Sequence, residues 1–210
     1  MRKIIRSLNC TATLVAVMLL AGCAFGTRQP TLIYPPAAES SAIPAAQAAA
    51  KPAPKNMQII LNPFIDQRDD KNVVGTVRNG FGMRTADVIP TNSVPDWVMQ
   101  AMKIELQNSG YVVTTGTASS DTLPGASAVV SGEILKVFCD MYFSYTGQIS
   151  LLAKVRKAGK DVLNKNYSAE GSAGIAWGGT AESYAQSLAL ALASAVKQFV
   201  AELDRTLTPP

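Results

Sequence analysis

Few side chains in this 210-residue sequence have chemistry to offer. The densest group is the run Asp66-Gln67-Arg68-Asp69-Asp70, with Glu133 as a more distant carboxylate. Paired carboxylates hydrolyse glycans when they face each other about 5–10 Å apart. The blander and favoured reading is a solvated loop whose Asp side chains bond their own backbone. The same loop offers oxygen atoms to a cation. It lacks, however, the spaced Asp/Asn ligands, loop glycine and terminal Glu of an EF-hand, and no metal is expected. Histidine is absent. That removes Ser-His-Asp and Cys-His catalysis in their usual forms, and His-ligated zinc with them.

The three cysteines fall in different surroundings. Cys23 closes the tetrad Leu20-Ala21-Gly22-Cys23, behind a basic start with Arg2, Lys3 and Arg6 and an apolar run ending at Leu20. This core is too short to span a bilayer, which takes about 20 apolar residues, so it reads as a secretory signal. Small Ala21 and Gly22 let an extended chain enter a peptidase. The tetrad resembles the lipobox of bacterial lipoproteins. That resemblance implies cleavage between Gly22 and Cys23 and a thioether-linked diacylglycerol on the Cys23 thiol, with a further acyl chain on the freed amine. Two or more chains give lasting attachment where one gives only reversible binding. The residue after the cysteine is Ala24 rather than Asp, which by analogy with enteric lipoproteins implies sorting to the outer membrane.

Cleavage would remove Cys10 and leave Cys139 as the one thiol. A lone thiol in an oxidising periplasm is safest inside, and Cys139 is read as a small buried residue rather than a reactive one. Arg2, Lys3 and Arg6 are three of the chain's 19 cations, set against 15 anions, so the mature chain is near neutral at +1. A nucleic-acid partner needs a persistent basic surface, and none is expected here.

Three sections follow from composition: a signal over 1–22, a lipidated cysteine and tether over 23–56, and one domain over 57–210. The tether is rich in Pro and Ala and cannot bury enough surface to offset its ordering entropy. As a coil it spans roughly 30 Å, and as extended polyproline II roughly 100 Å. One island, Thr31-Leu32-Ile33-Tyr34, has strand-forming residues and is a candidate edge strand ended by Pro35-Pro36.

The domain must position whatever site exists. Met57–Ile65 reads as a strand, followed by the polar Asp66–Asp70 turn. Val73–Arg78 and Phe81–Ile89 flank Asn79-Gly80, a strong hairpin signal. Ser93 caps a helix with Pro95 and Asp96 in its first turn and Gly110 at its end. Its buried side is Trp97, Val98, Ala101, Ile104 and Leu106. Tyr111–Thr114 is a short strand. Ala128–Met141, Tyr145–Arg156 and Asp161–Ile175 form a meander, with Ile149, Leu151, Ala153 and Val155 on one face. Thr180 caps a final helix with Tyr184, Leu188, Ala191, Leu192, Ala195, Phe199 and Leu203 on one stripe. Strands and helices segregate, so the fold is expected to be α+β: an antiparallel sheet packed by two main helices.

This order of elements resembles the YajG-type lipoproteins of Gram-negative bacteria. The residues that carry the likeness are Asp66-Gln67-Arg68, Val77-Arg78-Asn79, Ser109-Gly110-Tyr111 and Asn166-Tyr167-Ser168-Ala169-Glu170-Gly171, over residues 57–205. The resemblance brings no activity, catalytic residue or cofactor with it, and no cofactor is expected.

Function is therefore expected to be non-enzymatic: binding or assembly on the periplasmic face of the outer membrane. The partners are the membrane, through Cys23, and another cell-envelope protein. The competing readings are a carboxylate-dependent glycan-processing enzyme and a binder of small hydrophobic ligands or peptides. The candidate surface is Asp66, Arg68, Asp69, Asp70 and Trp177. For Trp177, at the corner between the last strand and the last helix, an exposed contact competes with a core plug, and the plug is favoured.

Overall fold

The computed structural model describes residues 26–34, 55, 57–118, 127–175 and 180–207. Gly22, Cys23 and Trp177 lie outside the described residues. Ten elements follow in order: β1 (Gln58–Leu61), β2 (Ile65–Asp66), β3 (Gly75–Arg78), β4 (Arg84–Val88), α1 (Val94–Asn108), β5 (Val112–Thr115), β6 (Ser127–Met141), β7 (Ser144–Lys157), β8 (Lys160–Ile175) and α2 (Ala181–Leu207).

The fold is α+β, with one large mixed sheet and two helices among the described residues. Long β6 is its spine. On one side β6 pairs antiparallel with β7, and β7 with β8, the expected meander. On the other side β1, β2 and β3 pair with β6 in parallel, and β5 runs parallel to β1. The expected α+β class with two packing helices is what forms; the sheet, expected to be antiparallel, is mixed. Parallel pairing needs a long connection between partners, so no local pattern announces it. The single strand expected over Met57–Ile65 is split. Asn62, Pro63 and Phe64 interrupt it, and β2 resumes further along β6.

Both helices begin, and α1 ends, as their residue types dictate. The Ser93 hydroxyl accepts from the Asp96 amide, and Gly110 takes φ 89° just beyond α1. The Thr180 hydroxyl accepts from the Ser183 amide at the start of α2. The α2 stripe from Tyr184 to Leu203 is buried, and Trp97, Val98, Ala101 and Leu106 of α1 are buried with it. Helix α2 lies against backbone: a Cβ on Gly147 would come within 2.5 Å of the Ser187 carbonyl oxygen, and one on Gly171 as close to the Ala191 amide. These two glycines are register partners across β7 and β8, so together they form a flat bed for the helix.

Residues 26–34, expected as part of the tether, pack on the domain. Arg28 sits parallel beside Val88, donating its amide to Asp87 and accepting from the Ile89 amide. The Asn92 side chain bonds both the amide and the carbonyl of Leu32. Leu32 and Tyr34 are buried. The leader therefore adds an edge to β4 at Arg28, while the island itself, residues 31–34, lies beside Thr91 and Asn92 and forms no strand.

Candidate functional site

The Asp66–Asp70 run folds upon itself. The guanidinium of Arg68 binds both Asp66 carboxylate oxygens at 2.9 Å and the carbonyls of Lys71 and Val73. Arg68 is 6% exposed, so it clasps the loop from within rather than displaying a charge. Burial would raise the Asp66 carboxyl, but the hydrogen bonds and charge of Arg68 outweigh it and hold the group below its ordinary range. Asp70 accepts from the Asn72 and Val73 amides, a local turn. Asp69 is exposed. Glu133 is paired with Lys154 at 2.7 Å. Three of the four carboxylates are thereby spent on internal partners. Among the described residues no group of His, Cys, Asp or Glu is arranged to hold a metal ion.

A cleft of about 250 Å³ lies between this loop and the start of α1, lined by Asp66, Arg68, Lys71, Asn92, Ser93 and Pro95 among others. Its polar walls are already engaged: Arg68 with Asp66, Asn92 with Leu32, and Ser93 with α1. Drug-sized ligands occupy pockets of about 300–1,000 Å³ that are mostly apolar. This cleft is smaller and polar.

Cys139 is fully buried, with its sulfur 3.1 Å from the Ser187 hydroxyl. Burial pushes the thiol up to about 12, which leaves it protonated and unreactive.

The surface that stands out was not singled out from the sequence. Two turns meet at one end of the sheet, because β3 pairs with the end of β6 at Val77 and Met141. The β3–β4 turn carries Phe81 and Met83, which are 88% and 59% exposed. The β6–β7 turn carries Tyr142 and Phe143, which are 47% and 73% exposed. Tyr142 packs over Gly82, where a Cβ would come within 2.9 Å of its ring, and its centroid is 4.1 Å from that of Phe143. Below them Arg78 and Asp140 form an ion pair at 2.7 Å that joins the two strands.

Phe81 was expected inside a strand after a tight Asn79-Gly80 turn. The loop is longer. Asn79 accepts side-chain hydrogen bonds from the Phe81 and Met83 amides, and the positive φ falls on Gly82 at 79° rather than on Gly80. This pushes Phe81 outward. A clue was present in Tyr142-Phe143, where two aromatics interrupt the alternation between β6 and β7.

Compared with family models and with curated proteins, the sequence matches none. Solved structures do resemble it. A DUF330-family protein from Xanthomonas campestris has a TM-score of 0.54 at 14% identity, covering 85% of this chain and 94% of that one. A protein described only as uncharacterized has a TM-score of 0.52 at 11% identity, covering 85% and 99%. A hypothetical protein from Chlamydia trachomatis reaches 0.49 at 12% identity, covering 73% and 99%. At these identities the likeness is one of fold: the chain shares its α+β architecture with a DUF330-family protein.

Proposed function

We propose that this chain is a lipid-anchored cell-envelope protein, held through Cys23 at the periplasmic face of the outer membrane, and that it acts there as a non-enzymatic binding or assembly module. The likeness to YajG-type lipoproteins belongs to the same reading. One observation carries it. Among the described residues the chain already pairs with the domain at Arg28, five positions after the cysteine of the lipobox-like tetrad, so a lipid on Cys23 would be joined to the packed domain by a few residues. The uses found for Asp66, Asp70 and Glu133 support a scaffold rather than a catalyst, because each already has a structural partner. No helix among the described residues is long and apolar enough to cross a membrane, which leaves attachment to the N-terminal region on this reading.

The reading is tested by photo-crosslinking in cells from Asp69, an exposed position on the domain, and from several other exposed positions. A discrete adduct with another envelope protein is expected. Adducts from no position would contradict the assembly role. Glycan hydrolysis by the purified protein, abolished by Asp66→Asn in a folded chain, would replace this reading with the enzymatic one.

A further inference from the structure

The uncharged aromatic end of the sheet needs an occupant, and the course of the N-terminal segment identifies one. Neither turn carries a charge: residues 79–83 are Asn-Gly-Phe-Gly-Met, and no charged residue occurs from Met141 to Ala153. Such a patch, apolar at its centre and rimmed by the Arg78–Asp140 pair, is the kind of surface that meets a membrane or a partner.

Traced backwards from the core, the leader runs beside residues 92 to 87 and reaches the end of β4. Leu32 is held by Asn92, Pro30 accepts from the Thr91 amide, and Arg28 lies beside Val88. Each step toward the N-terminus is a step back from Asn92 to the end of β4 at Val88 and Asp87. Arg28 lies five positions after Cys23, and Val88 five positions after Met83. Either stretch, when extended, covers about 17 Å. The chain therefore has the length to bring Cys23 level with the aromatic turns.

We propose that the turns carrying Phe81, Met83, Tyr142 and Phe143 seat in the interfacial layer of the lipid bilayer that holds the acylated Cys23. The inference rests on the lipid-anchor reading above. It adds that the domain lies on the membrane in one orientation, rather than standing off on a leash. Acyl chains supply the lasting attachment, and amphipathic or apolar rings at headgroup depth fix the tilt.

The test uses the acylated full chain, purified from membranes and reconstituted in phosphatidylethanolamine–phosphatidylglycerol vesicles. A nitroxide is attached at Gly80→Cys, where a side chain would meet open space, and in a second preparation at Lys160→Cys, the exposed first residue of β8. Buried Cys139 stays unlabelled. Relative to Lys160, the position-80 label is expected to be at least threefold more accessible to oxygen than to an aqueous nickel chelate. Adding Phe81→Ser and Phe143→Ser should return it to the aqueous value. A position-80 label as open to nickel as the one at 160 overturns the proposal. A label shielded from both reagents also overturns it, and would place a second copy or another protein over the turns. Flotation separates the two readings. A chain that floats with an aqueous label sinks only this inference, whereas a chain that does not float sinks the lipid anchor and this inference together.

Discussion

Arg68 is tied to Asp66, Lys71 and Val73 through three of its nitrogens, and removing it strands a mostly buried carboxylate. Breaking a buried pair from one side costs about 3–5 kcal/mol, and partial exposure of Asp66 sets the expectation for Arg68→Ala near about 3 kcal/mol in denaturant unfolding. Arg68→Lys should recover little of it, because an ammonium cannot span both carboxylate oxygens and two carbonyls. Acidification acts on the same pair. Asp66, Asp140 and Glu202 all have carboxyls held below their ordinary range in the folded chain. Their contribution is full above the unfolded carboxylate range, near about pH 4, and is lost as pH falls through the lower folded values. Asp66→Asn should therefore flatten the stability curve below about pH 4 relative to the unaltered chain. Cys139 offers a simpler check. Its thiol is buried and pushed up to about 12, so maleimide should leave it unmodified at pH 7 and modify it fully in denaturant, as read by mass spectrometry.

Helix α2 rests on the Gly147–Gly171 pair, and this packing is intolerant of a methyl group. Gly147→Ala would drive a Cβ into the Ser187 carbonyl region and is expected to cost about 1–3 kcal/mol. Gly116→Ala is expected to be near neutral in the same melts, since nothing lies within 4 Å of its Cβ position. The added edge formed by the leader makes a matching prediction. Leu32 is buried against the core, so Leu32→Ala should lower stability by about 2–5 kcal/mol, whereas a free tether would show no change. These elements differed in how far they could be read from residue order. The period in Tyr184–Leu203 and the alternation in Ile149–Val155 each record one buried face, so α2 and β7 were legible. The parallel docking of β1, β2 and β3 on β6 was not, because its partners are distant in sequence and their short runs show only apolarity. Arg68 was legible as a candidate charge but not as a clasp, since burial is a property of the folded loop. Phe81 was hidden by the Asn79-Gly80 signal, which suggested a tighter turn than the one that forms.

At the scale of the whole molecule the two ends of the long strands differ. One end carries exposed aromatic turns without charge; the other, up to about 45 Å away along β7, carries Lys157, Lys160 and an Arg156–Asp161 ion pair around the β7–β8 turn. On the proposed orientation the aromatic end lies at the lipid and the other end of the strands projects away from the membrane. The polar ladder on the outer face of the sheet, where Gln148 meets Glu170 and Ser150 meets Asn166, suits a solvated wall between them. Everything in this arrangement depends on Cys23 carrying lipid. The most direct measurement is the mass of the N-terminal peptide of the protein isolated from outer-membrane fractions. The account predicts a chain that begins at Cys23 and bears a thioether-linked diacylglycerol. A chain that retains Met1, or one whose Cys23 is an unmodified thiol, would contradict it.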